Sequence, residues 1–249
     1  MRITEVPSDT KVVVSTSSRN RIIDERIKPP HMNRCFTCCI SGRPNSGKSM
    51  LVTHWLKSYP SKGGYRKCFD SVIMVMPPSS RKALDGGKIM DQLDSKKVFD
   101  ELTEETCDEI QGIVEKTKED GDEDDTDAYT LLILDDVQAS LRNREVDKCL
   151  RGWLANYRHL NLCVVVCVQS YIALSKPCRD LFRCLIQFHT PNKKELTRIH
   201  EEWCGGMTAD EFRELFNYVF DKKYNFIFID RQEQTFCKNF NRLKLVQEE

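Results

Sequence analysis

The chain is organised around continuous apolar runs rather than alternating ones. Cys35 to Ile40, Val72 to Met76, Leu131 to Leu134, Leu162 to Val168 and Cys184 to Phe188 are apolar throughout, apart from Thr37 and Gln187. Short runs of this kind predict strands buried on both faces, and hence a largely parallel sheet covered by helices. Lys97-Val98-Phe99 reads as a further short strand, and Pro77-Pro78 stops the second run. Between the strands, Met50 to about Tyr59 can form a helix that Lys62-Gly63-Gly64 breaks. Thr106 to about Lys118 places Ile110, Ile113 and Val114 on one helical face. Near the C-terminus, Asn225 to Asp230 and Gln234 to Lys238 flank Arg231-Gln232-Glu233 and predict a β-hairpin. The class is α/β.

The first strand leads directly into Gly42-Arg43-Pro44-Asn45-Ser46-Gly47-Lys48-Ser49, and Met50 opens the helix that follows. This is a phosphate-binding loop in its strand-loop-helix context. Its glycines let backbone amides curl toward a polyphosphate, and the helix N-terminus adds unpaired N–H groups. Lys48 is expected on the β- and γ-phosphates and Ser49 on Mg²⁺. ATP and Mg²⁺ are the expected ligands.

Two acids, Asp135 and Asp136, end the Leu131 run. Open α/β sheets place ligands at the carboxyl ends of strands. Asp135 is therefore the expected second holder of Mg²⁺, and Asp136 the group that orients or deprotonates an attacking water. Gln169 ends the Leu162 run, where its amide can contact both water and γ-phosphate. Arg158 and Arg179 are candidates for a cation supplied to a neighbouring subunit's site. A GTPase would need a glycine in D-x-x-G after the metal-binding strand; Asp135 is followed by Asp136-Val137-Gln138. Asn192-Lys193-Lys194-Glu195 ends in Glu rather than the Asp a guanine reader uses, and reads as the turn into a helix. A nucleoside or nucleotide kinase would need an arginine-rich lid, and the arginines from 142 to 183 are scattered. A nucleotide-gated assembly protein without turnover would tolerate loss of the Asp136 charge.

Composition adds limits. The 249 residues carry 38 basic and 38 acidic side chains, so net charge is zero. Residues 115–127 hold eight acids against two lysines, which leaves the remainder of the chain at +6. Glu119 to Asp127 is expected as a solvated, mobile acidic loop, because like charges repel. Residues 1–34 are expected to form a polar arm ahead of a phosphate-loop ATPase domain expected at 35–249. Five of the 12 cysteines (35, 38, 39, 163 and 167) lie inside strand-like runs, where free thiols act as small hydrophobes. No secretory signal is legible at Met1 to Asp9, and no apolar run is long enough to span a membrane. A soluble, non-secreted protein is expected.

Several blocks occur together: Gly42 to Ser49, Leu131 to Val137, Tyr157-Arg158-His159-Leu160-Asn161, Val164 to Tyr171, and Arg179. In order and spacing they resemble the genome-packaging ATPases of poxviruses and other large DNA viruses, of the FtsK/HerA class. The likeness covers about residues 35 to 190. It implies a RecA-like P-loop NTPase fold, with a mostly parallel central sheet flanked by helices and a C-terminal hairpin. It further implies a homo-oligomeric ring that hydrolyses ATP to drive double-stranded DNA into a capsid, with a capsid or portal-type viral protein as partner. The setting would be the viral assembly site, in the virion or host-cell cytoplasm. The same likeness places Lys48 and Ser49 on phosphate and Mg²⁺, Asp135 on Mg²⁺, Asp136 on water and Gln169 as sensor.

Overall fold

A computed structural model describes residues 24–83, 93–123 and 127–244. Its strands are β1 (Thr37–Ser41), β2 (Ser71–Val75), β3 (Val98–Phe99), β4 (Thr130–Asp135), β5 (Leu162–Val168), β6 (Cys184–Phe188), β7 (Phe226–Asp230), β8 (Thr235–Lys238) and β9 (Asn241–Arg242). They form one sheet in the order β3-β2-β4-β5-β1-β6-β7-β8-β9. Every pairing from β3 to β6 is parallel, and β7, β8 and β9 add on antiparallel. The expected hairpin is β7–β8.

Period-2 alternation divides each central strand between two cores. On β5, Leu162, Val164, Val166 and Val168 face one side, while Cys163, Val165 and Cys167 face the other. The first core is capped by α3 (Glu104–Glu123), α4 (Arg144–Asn156), α6 (Lys193–Trp203) and α7 (Ala209–Val219), through residues such as Ile110, Trp153, Ile199 and Phe212. The second is covered by α1 (Lys48–Lys57) through Val52 and Trp55. Two short helices, α2 (Pro78–Ala83) and α5 (Lys176–Asp180), follow β2 and precede β6.

Residues 1–23 of the expected arm lie outside the described residues. The remainder packs on the second core: Ile27 and Met32 are buried, and the Met32 carbonyl accepts from the Tyr65 hydroxyl at 2.9 Å. Asp24 accepts from Arg26 and Arg34, and the Arg26 hydrogen bond holds its carboxyl below the usual carboxylate range.

One expectation needs correction. Helix α3 runs on through Glu123, so residues 119–123 of the supposed acidic loop are helical. Lys118 and Asp122, one turn apart and 3.8 Å from each other, offset some of the like-charge repulsion, and Gly121 turns inward. Residues 124–126 lie outside the described residues. None of the twelve cysteines, all among the described residues, is in a disulfide, and eleven are buried. No helix among the described residues is long and apolar enough to cross a membrane.

Candidate active site

The carboxyl ends of β1, β4 and β5 converge at one edge of the sheet. Because β5 lies between β1 and β4, whatever follows β5 is delivered between the phosphate loop and the paired acids.

The loop is anchored at its start, where the Gly42 N–H donates to the Val168 carbonyl at 3.2 Å. A side chain at Gly42 would meet Phe188 Cβ and Ser46 Oγ at 2.7 Å, so only glycine fits. Asn45 and Gly47 both take left-handed backbone angles, φ 61° and 110°. Such a sequence of turns points successive amides into a shared concavity suited to an anion. Gly47 is also the N-cap of α1, so the free amides of that helix face the same space. Lys48 is buried, and its ammonium donates to the Gly42 and Arg43 carbonyls. Burial lowers its pKa, an effect that the nearby Asp135 and Asp136 oppose. Met50, in the first turn of α1, is 61% exposed.

The two acids point to different environments. Asp135 closes β4, is 3% exposed, and accepts from Ser49 Oγ at 2.8 Å. Burial pushes its carboxyl pKa up, while the Ser49 hydrogen bond and Lys48 pull the other way. Asp136 leaves the strand through a left-handed kink, φ 58°, which Asp tolerates better than most residues. That kink turns its carboxylate outward. Its Oδ1 accepts from Gln169 Nε2 at 3.2 Å and its Oδ2 from Ser80 Oγ at 3.3 Å. The segments after β4 and β5 are joined again where the Gln169 N–H donates to Gln138 Oε1 at 3.2 Å.

The structure therefore brings together Gly42 to Ser49, Asp135, Asp136 and Gln169. It does not bring the two arginines there. Arg158 is exposed, precedes the amino end of β5, and donates from Nε to the Tyr157 hydroxyl at 2.7 Å. Arg179, the other candidate for a neighbouring subunit's site, is 7% exposed and points inward. Its Nε and Nη2 hold Glu202 at 3.0 and 2.9 Å, and its Nη1 donates to the Leu174 carbonyl at 2.7 Å. With all three nitrogens engaged inside the domain, Arg179 is a structural ion pair.

Two residues at the site escape a reading of the sequence. Ser80 sits in a polar stretch after Pro77-Pro78, with nothing local to mark it. Glu195 belongs to the Asn192-Lys193-Lys194-Glu195 turn, and Asn192 does cap α6, accepting from the Lys194 and Glu195 amides at 3.1 and 3.4 Å. The Glu195 carboxylate, however, is buried against the ends of β1 and β5.

No protein-family model and no curated protein matches the sequence. Solved structures do match. The genome packaging NTPase B204 from Sulfolobus turreted icosahedral virus 2, in complex with AMP, aligns with a TM-score of 0.59 and 20% identity over 86% of this chain and 100% of that one. In complex with ATP-gammaS it aligns at 0.55 and 20%, over 82% and 95%. B204, the DNA-packaging ATPase from Sulfolobus turreted icosahedral virus, aligns at 0.56 and 18%, over 83% and 98%. At this level of identity the likeness defines the architecture: the chain has the RecA-like P-loop NTPase fold, with its phosphate loop on a central strand and an antiparallel hairpin at one side of the sheet.

Proposed function

We propose that this chain is the ATP-hydrolysing subunit of a motor that packages double-stranded viral DNA, and that it works as a homo-oligomeric ring against a capsid or portal-type protein. The observation that carries the hydrolytic reading is the pairing of Ser49 with Asp135 beside the joined Asp136 and Gln169. The packaging reading draws on the fold shared with the B204 packaging ATPases and on the sequence blocks that surround these residues.

In this reading the backbone N–H groups from Asn45 to Ser49, with Lys48, hold the triphosphate. Ser49 and Asp135 fit Mg²⁺: they supply a hydroxyl and a carboxylate, hard oxygen donors that lie together, and the carboxylate is one whose burial favours a nearby cation. When bound, Mg²⁺ would neutralise charge on the β- and γ-phosphate oxygens. Asp136 accepts the proton of a water that attacks the γ-phosphorus. As the new P–O bond forms, the bond to the β–γ bridging oxygen breaks, leaving ADP and phosphate. Gln169, already against Asp136, positions that water. Arg158, exposed on its own subunit, is the remaining candidate to reach a neighbour's γ-phosphoryl.

Strand order supports one direction for the nucleotide in this reading. Its γ-end lies toward β4 and β5, so the nucleoside extends past β1 toward β6 and β7. A cavity of about 340 Å³ lies there, between Arg43–Ser46 of the loop and Phe188, Phe220 and Tyr224. A larger one, of about 420 Å³, is rimmed by Glu101, Glu104 and Glu105 and would repel a polyphosphate. Tyr224, left-handed at φ 69° and 58% exposed, lies beside Gly47 and offers a ring to a base. Tyr224→Ala is expected to raise the KM for ATP about three- to tenfold with little change in kcat, since an aromatic stack contributes about 0.5–1.5 kcal/mol. Steady-state kinetics measure this.

The DNA reading is tested by ATPase assays of the assembled protein with double-stranded DNA. Turnover should rise with DNA and the stimulation should fade as salt increases, because phosphate contacts release counterions. Absence of stimulation at low salt would remove DNA as the partner.

A further inference from the structure

Glu195 stands in the first turn of α6, yet its side chain enters the core and is 2% exposed. Its Oε1 accepts from Ser41 Oγ at 3.4 Å, from Ser170 Oγ at 3.0 Å and from the Tyr171 N–H. Its Oε2 accepts from Thr190 Oγ1 at 2.7 Å. These donors are three hydroxyls and an amide. A buried carboxylate is costly to desolvate, and here neutral donors and the positive end of α6 offset that cost.

The donors belong to three strand ends. Ser41 is the last residue of β1 and directly precedes Gly42. Ser170 and Tyr171 directly follow Gln169, and Thr190 follows β6. One carboxylate thus ties the base of the phosphate loop to the segment that carries the sensor amide. Glu202, two turns further along the same face of α6, accepts from the Tyr171 hydroxyl at 2.6 Å and pairs with Arg179. Tyr171 is held by α6 at its backbone and at its far end.

We propose that Glu195 is a positioning residue for hydrolysis: without touching nucleotide, it fixes the separation between the phosphate loop and Gln169. This rests on the hydrolytic reading above. A displacement of about 1 Å at a reacting group costs about 10²-fold in rate. Glu195→Ala should therefore lower kcat by about that factor while changing the Kd for a fluorescent ATP analogue less than about threefold. Glu195→Gln, which keeps one acceptor oxygen and can donate to Thr190, should recover part of the loss.

A double-mutant cycle with Gln169→Ala supplies the readout that a general structural role would not move. If Glu195 acts through Gln169, its removal adds less than about twofold in the Gln169→Ala background, a non-additivity expected of coupled groups. Equal losses in both backgrounds, or a loss confined to ATP affinity, would overturn the proposal. Should Glu195→Ala fail to fold, Ser170→Ala enters the same cycle with the same criteria. Phosphate release by the unaltered chain is measured alongside. Absence of release there sinks the hydrolytic reading, whereas release combined with additive losses sinks only the role of Glu195.

Discussion

Asp136→Asn is expected to leave ATP binding within about threefold of the parent and to lower turnover about 10²- to 10⁴-fold, the range typical of a lost general base. Asn keeps the shape of the side chain and tolerates left-handed backbone as well as Asp does, so the φ of 58° need not change. Its amide can still accept from Gln169 or Ser80. What it cannot do is take a proton from water. Equilibrium binding of an ATP analogue, paired with a phosphate-release assay, separates the two effects. Unchanged turnover would exclude Asp136 as the base and favour a nucleotide-gated assembly protein, provided the parent itself turns over little.

Arg179→Ala is expected to cost about 1–3 kcal/mol of folding stability, because it leaves the half-buried Glu202 carboxylate with only the more distant Arg198 as cation and the Leu174 carbonyl without its donor. Chemical denaturation with a fluorescence readout measures this. Arg158→Ala, at an exposed position, should change stability by less than about 0.5 kcal/mol. In assembled protein it should instead lower turnover about 10³-fold or more if it serves a neighbour's site. The opposite pattern, with Arg179 dispensable for folding, would reinstate Arg179 as the mobile cation.

The parts of this molecule that are legible in its sequence are those set by neighbours in the chain. The phosphate loop is read from one octet and its flanks, and the central strands from their uninterrupted apolar residues. Asp135, Asp136 and Gln169 follow because each ends such a run. Helices α4 and α7 carry polar faces that hide them among charged residues. Yet α7 opens with Thr208-x-x-Glu211, a reciprocal cap that the structure forms and that the sequence displays. The extension of α3 to Glu123 defeats a reading based on charge alone. Long-range relations are another matter. Nothing near Arg179 names Glu202 as its partner, and nothing in the helix-opening turn at Asn192 marks Glu195 as the one that goes inside. The placement of β5 between β1 and β4 is likewise a property of pairing across the whole chain.

The lateral margins of the sheet bear on how copies could assemble. The described strand at each margin, β3 on one side and β9 on the other, is two residues long. Margins so short offer little exposed ladder for another backbone to join. Neighbouring copies would then meet through side chains on helices and loops rather than by continuing a sheet. Such joints can slide or re-pair as nucleotide comes and goes without tearing a row of backbone hydrogen bonds.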